Sequence, residues 1–178
     1  MRITTSEQLR AIVPPPHADL RDKAISFIDA ESARFLQAAT FFLLATTGAD
    51  GSVDVSPRGE APGGVTVLDD KTVAFLDSPG NRRLDSFRNI LECPNVGMLF
   101  IVPGRDETVR LNGQAALYQD GAGIRVEVSV EELFLHCGQS LKRGSVWDAA
   151  GWPDPVTVPS FRAMIKSTVA ARQSMAVA

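Results

Sequence analysis

Short runs in which hydrophobic and polar positions alternate fill the middle of the chain, the pattern of strands that bury one face. Residues 41–47 form a nearly continuous apolar run rich in strand formers. Gly48-Ala49-Asp50-Gly51 then supplies a tight turn, and residues 52–56 complete a hairpin. Residues 65–68, a turn at Asp69-Asp70-Lys71 and residues 72–76 repeat the arrangement. Residues 82–92 switch to helical spacing, with Leu84, Phe87, Ile90 and Leu91 on one face and Pro94 at the end. Strands are predicted at 95–102 and 107–118, around a turn at Pro103-Gly104-Arg105, and at 125–130, where alternation is strict. After Glu131, Leu133, Phe134, Cys137 and Leu141 fall at helical spacing and predict a helix.

The two ends are predicted to be less regular. Thr4, three residues before Glu7, has the spacing of a capping box and opens a short helix through Ile12 that Pro14-Pro15-Pro16 ends. Helical stretches are expected near 19–25 and at 29–38, the second with Asp29 as N-cap. Residues 144–159 read as an irregular loop anchored by Trp147 and Trp152. A short helix from Ser160 to about Thr168 is expected to precede a loose tail. Seven or so closely spaced strands interrupted by one helix fit an α+β, mainly β fold: a small, mostly antiparallel barrel with peripheral helices rather than a doubly wound sheet.

Composition narrows the function classes. A chain of 178 residues with 44% hydrophobic content suits one domain. It divides into an N-terminal helical arm (1–40), a barrel core (41–130) and C-terminal helices with a loop (131–178). A net charge of −3 argues against nucleic-acid binding through a broad basic face. Neither a membrane span nor a signal-peptide core is read, so a soluble, cytoplasmic protein is expected. Cys93 and Cys137 have no metal-ligand spacing, so no metal site or disulfide framework is expected.

Two segments carry candidate chemistry. In Phe75-Leu76-Asp77-Ser78-Pro79-Gly80-Asn81-Arg82-Arg83 a strand runs into a turn and puts two guanidinium groups at a predicted helix start. Exposed amides, the helix dipole and the planar donor fork of arginine all favour phosphate there. The alternative is that Arg82 and Arg83 are solvated or paired with Asp77 and Asp85. In Ser56-Pro57-Arg58-Gly59 proline denies the ladder a donor, and Arg58 can reach a phosphate or an electron-rich ring edge, or be a surface arginine at a strand-end turn.

Residues 45–51, Ser56-Pro57-Arg58-Gly59, and the stretch from Asn81-Arg82-Arg83 to Asn95-Val96-Gly97 together resemble the FMN-binding core of the pyridoxamine 5′-phosphate oxidase-like family, over residues 41–118. Residues 136–143 (His-Cys-Gly-Gln-Ser-Leu-Lys-Arg) with Val146-Trp147-Asp148 are similar to a bacterial subgroup of FMN-dependent enzymes in that family. The resemblance implies an FMN-binding split β-barrel, a homodimer with FMN at the subunit interface, and an oxidoreductase that transfers hydride at flavin N5 to or from a small molecule. It assigns Arg82 and Arg83, assisted by Asn81 and Ser78, to the phosphate, and Ser56, Pro57, Arg58, Leu76 and Asp77 to the ribityl chain and ring. It brings Lys142, Arg143 and Trp147 to the flavin from the partner subunit, where the cations stabilise the charge of reduced flavin. Their other reading is two surface cations and a tryptophan that pins a loop.

The family's Lys-containing motif after the first hairpin and its substrate-phosphate contacts near the C-terminus are not evident here, so the resemblance does not extend to pyridoxamine phosphate oxidation. No catalytic side chain is assigned; His136 reads as a helix histidine bonded to a carbonyl or carboxylate. The competing function is a non-catalytic flavin-binding carrier or sensor, and related barrels that hold a deazaflavin or haem form a further alternative.

Overall fold

The computed structural model describes residues 2–16 and 23–177. The chain forms two compact units, Met1–Ser140 and Leu141–Ala178. In the first, helix α1 (Ser6–Ile12) is capped by Thr5, whose hydroxyl accepts from the amide of Gln8, one residue later than the expected Thr4. The expected helix near 19–25 lies mostly outside the described residues; its last residue, Ile25, instead bridges Leu133 in strand fashion. Helix α2 (Ala30–Ala38) has the expected cap, the Asp29 carboxylate accepting from the Ser32 amide at 2.8 Å.

Strands β1 (Phe41–Thr47) and β2 (Val53–Gly59) form the first hairpin, and β3 (Val65–Asp69) and β4 (Thr72–Leu76) the second. Helix α3 (Asp85–Glu92) precedes β5 (Asn95–Ile101), β6 (Thr108–Asp120) and β7 (Gly123–His136). One seven-stranded sheet results, in the order β2-β1-β5-β6-β7-β4-β3, with every pairing antiparallel. Pro57 sits inside β2, where a missing amide costs no ladder bond because β2 is an edge strand.

The sheet closes on itself around its core. Phe42 of β1 meets its register partner Phe100 of β5 and, edge to face, Phe75 of β4, with ring centroids 5.0 Å apart. Since β1 and β4 are separated by three strands in the sheet, that contact requires it to curl into a barrel. Leu44, Met98, Leu111, Val126 and Val128 complete the fully buried interior, and Leu36 of α2 and Phe87 and Ile90 of α3 cap it. The fold class read from the sequence, a mainly β antiparallel split barrel with peripheral helices, is the observed one.

Three expectations are corrected. The helix predicted after Glu131 is strand as far as His136, followed only by the short helix α4 (Gln139–Arg143), and β7 pairs Leu133 with Leu111 and Phe134 with Arg110. Its register shifts at Asn112/Gly113, leaving Glu131 unpaired, so Val130 and Leu133 both face the core although three residues apart. His136 is accordingly a strand-end residue. The last helix, α5 (Phe161–Val177), continues well past Thr168 and begins behind the Ser160 hydroxyl, which accepts from the Ala163 amide. The third correction, the start of α3, belongs to the site. In the second unit the indole of Trp152 donates to the carbonyls of Ser145 and Val146 at 3.1 and 3.2 Å, fastening the irregular segment as expected.

Candidate functional site

Curling of the sheet brings the end of β2 to the segment that leaves β4, and between them lies a cleft of about 920 Å³. Its walls are residues 54–60 and 77–87. Of the residues singled out from sequence, Ser56, Pro57, Arg58, Asp77, Ser78, Asn81, Arg82 and Arg83 all line it. Leu76 does not; it borders a separate hollow of about 180 Å³ with Glu60, Thr66 and Arg125. Lys142, Arg143 and Trp147 belong to the second unit.

Arg58 holds the floor of the cleft together. One guanidinium nitrogen, Nη1, donates to Asp77 at 2.9 Å, and Nε donates to the Ser56 hydroxyl at 3.3 Å. The guanidinium carbon lies 5.2 Å from the centre of the Phe87 ring. Both members of the ion pair are well covered, at 18% and 27% side-chain exposure, so the pair is poorly screened by solvent. Beside it runs a line of hydroxyls: Ser56 and Ser86 are 3.2 Å apart, and Ser86 donates to the Asp54 carboxylate at 3.2 Å. Ser86 is buried although polar, and these partners satisfy it. The Ser78 hydroxyl donates to Glu60 across the mouth.

The two adjacent arginines stand at the other end. Helix α3 begins at Asp85 rather than at Arg82, so both guanidinium groups belong to the loop before the first turn, and the expected placement on that turn is corrected. The cause is backbone conformation: Arg82 and Leu84 both have φ of 60°, in the left-handed region, and cannot extend the helix. Non-glycine residues in that region are strained, and two within three positions mark a loop held in shape by its surroundings. Asn81 helps to shape it by accepting from the Arg83 amide at 3.0 Å. The Arg83 Nε meets Asp85 at 2.6 Å, on the surface, and this hydrogen bond and the carboxylate's charge raise the arginine's pKa further. Arg82 has no hydrogen bond or ion pair among the described residues.

Asp54, Glu60, Ser86 and Phe87 were not anticipated. Phe87 lies on the expected apolar face of the helix and packs into the core. Asp54 occupied an ordinary polar position of an alternating strand, and nothing local marked it.

The curled antiparallel barrel carries a cleft in the size range of small-molecule and cofactor pockets, lined by hydroxyls, acids and arginines together with Pro57, Leu84 and Phe87. Residues 28–133, more than half of the chain, match the family model described as pyridoxamine 5′-phosphate oxidase, and the chain belongs to that family. The family commonly binds flavins and is commonly dimeric. Among solved structures, a Lactobacillus delbrueckii protein described as a pyridoxamine 5′-phosphate oxidase is 22% identical, with 62% of this chain and 95% of that chain covered and a TM-score of 0.49. HupZ of Group A Streptococcus is 20% identical, over 61% and 93% of the two chains, with a TM-score of 0.48. HutZ, the haem storage protein of Vibrio cholerae, is 17% identical, over 61% and 93%, with a TM-score of 0.43. No curated protein matches the chain. Among the described residues no helix is long and apolar enough to cross a membrane.

Proposed function

We propose that this chain holds FMN in the cleft and serves as an FMN-dependent oxidoreductase acting on a small molecule. The observation that carries the reading is Arg82, a guanidinium without a hydrogen-bond or ion-pair partner among the described residues, next to Arg83 at one end of a cleft whose walls also carry Ser56, Ser86 and Asp54. A terminal phosphate suits that end, because charge-assisted and bidentate donors reward an anion there more than any neutral group. The hydroxyl line of Ser56 and Ser86 with the Asp54 carboxylate suits the polyhydroxylated ribityl chain, and Pro57 with the paired Arg58 and Asp77 would hold the ring. The cleft's size is in the range of cofactor pockets, so the residues present fit the group.

Flavin supplies hydride exchange at its N5 when bound. The residues of this chain bind the phosphate, orient the ribityl hydroxyls and fix the edge of the cleft. In a homodimer with FMN at the subunit interface, Lys142, Arg143 and Trp147 would reach the flavin from the partner subunit, where the cations would stabilise negative charge on the ring. The Glu60–Ser78 hydrogen bond ties the two walls of the cleft together.

The test begins with full-length protein loaded with FMN under anaerobic conditions and mixed with NADH or NADPH. Rapid loss of the flavin's visible absorption, with turnover when an acceptor is supplied, is the expected result. Flavin that binds tightly but keeps its colour with every donor would make the protein a carrier or sensor. Failure to take up FMN at all would end both readings.

A further inference from the structure

Asp54, Ser56 and Arg58 are alternate residues of β2, so their side chains leave one face of the strand, and all three line the cleft. Ser86 of α3 joins them from the other wall. The Ser56 and Ser86 hydroxyls are 3.2 Å apart, a separation that leaves open which of them donates. The charged groups at the two ends of the row decide it. Ser86 has a single proton, which goes to the Asp54 carboxylate, an acceptor with none to return. Ser56 must therefore donate to Ser86. Arg58 can only donate, and its Nε bonds the Ser56 oxygen. Every hydrogen bond in the row thus runs the same way, from Arg58 through Ser56 and Ser86 to Asp54, an alignment in which each bond polarises the next.

These bonds commit both hydroxyl protons and leave each serine oxygen one lone pair. The second carboxylate oxygen of Asp54, Oδ1, accepts no hydrogen bond among the described residues. The row therefore faces the cleft with acceptors and with no hydroxyl proton to give. It also adjoins the arginine end: the hydrogen bond and charge of Asp85 raise the pKa of Arg83, and the charge of Asp54 adds to them. A ligand whose anion sits on the arginines lays the atoms next to that anion along the row.

We infer that Asp54 is a specificity-determining residue of the cleft: it fixes the row as an acceptor surface, so that the cleft selects a phosphate whose adjoining chain carries hydroxyl donors over one whose chain has no hydrogen to donate. A hydroxyl on the ligand meets a serine lone pair or the charged Oδ1, and the second of these is the stronger bond. A bare chain strips water from the same acceptors and returns no bond, which is a net cost. This role of Asp54 rests on the placing of the ligand in the cleft under the proposed function, but it asks nothing of a flavin ring or of redox chemistry.

Calorimetric titration of the full-length protein with two pairs of ligands tests it. The first pair is FMN and the flavin that carries a 5-phosphopentyl chain in place of the phosphorylated ribityl chain; the second is ribitol 5-phosphate and pentyl phosphate. Within each pair only the chain hydroxyls differ. Wild type should bind the hydroxylated member about tenfold or more tightly. Asp54→Ala should cut that preference to about threefold or less and leave the affinity for the hydroxyl-free member unchanged. Asp54→Asn keeps an oxygen that accepts from Ser86 but loses the charge, so its preference should fall between the two, and it carries the comparison if Asp54→Ala fails to fold. A wild type that does not distinguish the members of a pair it binds, an alanine variant that keeps the full preference, or equal weakening of both members, as a merely structural role would give, overturns the inference. Preference for ribitol 5-phosphate without uptake of FMN removes the proposed function and leaves the role of Asp54 standing. Tight FMN binding matched by the phosphopentyl flavin does the reverse, and a wild type that binds none of the four ligands overturns both.

Discussion

At the scale of single residues, the three arginines of the cleft divide their labour by what already holds them. Arg58 is committed to Asp77, Ser56 and Phe87 within a covered environment. Arg58→Ala therefore leaves a poorly solvated carboxylate without its cation, and should cost about 1–3 kcal/mol of stability; urea denaturation measures this directly. Arg83 is held only by Asp85 in a solvent-exposed pair, which solvent and salt screen. A phosphate can displace such a partner. Asp85→Asn should accordingly raise affinity for inorganic phosphate and FMN a few-fold, less than about tenfold, and calorimetric titration reads the change; lowered affinity would show that Asp85 supports the site instead. Sequence disclosed the cluster because arginine pairs and Ser-Pro-Arg-Gly are distinctive in composition. It left open which acid held which arginine, and the structure divides them: Asp85 pairs with Arg83, and Asp77 with Arg58, a residue of the far sheet edge. Only the closing of the barrel makes Arg58 and Asp77 neighbours.

At the scale of elements, periodicity revealed β1, the second hairpin, α2 and β5 nearly to the residue, since each is a local unit that buries one face, but it ended β2 at residue 56 where the strand continues through Pro57 to Gly59 as a sheet edge. It failed where a strand is irregular. The extra residue Glu131 makes Val130 and Leu133 face the core together, and three-residue spacing of apolar groups looks helical. Gly113, beside that bulge, tolerates no side chain: a Cβ there would lie 1.9 Å from the carbonyl oxygen of Ser129. Gly113→Ala should force β6 and β7 apart and destabilise the fold by about 3 kcal/mol or more; a drop in thermal midpoint checks it, and an unchanged midpoint would contradict the bulge. The start of α3 was misjudged for a different reason, since left-handed Arg82 and Leu84 are conformations that residue type does not announce.

At the scale of the whole molecule, the cleft exists because the sheet curls, and Phe42 is the side chain that joins its distant parts by touching both Phe75 and Phe100. Phe42→Ala should cost about 3–5 kcal/mol and lower ligand affinity along with stability, a coupling that denaturation with and without FMN would reveal. Alternation and strand count made the barrel legible, but not the meeting of β2 with the segment after β4, which depends on strand order. A phosphate gripped by Arg82 and Arg83 is the central contact of the proposed function. Titration of the full-length protein with FMN and with riboflavin, followed by flavin fluorescence, isolates that contact because the two ligands differ only in the phosphate. FMN should bind about a hundredfold or more tightly than riboflavin, and Arg82→Ala with Arg83→Ala should abolish the difference. Equal affinities for the two flavins in the wild-type protein would contradict it.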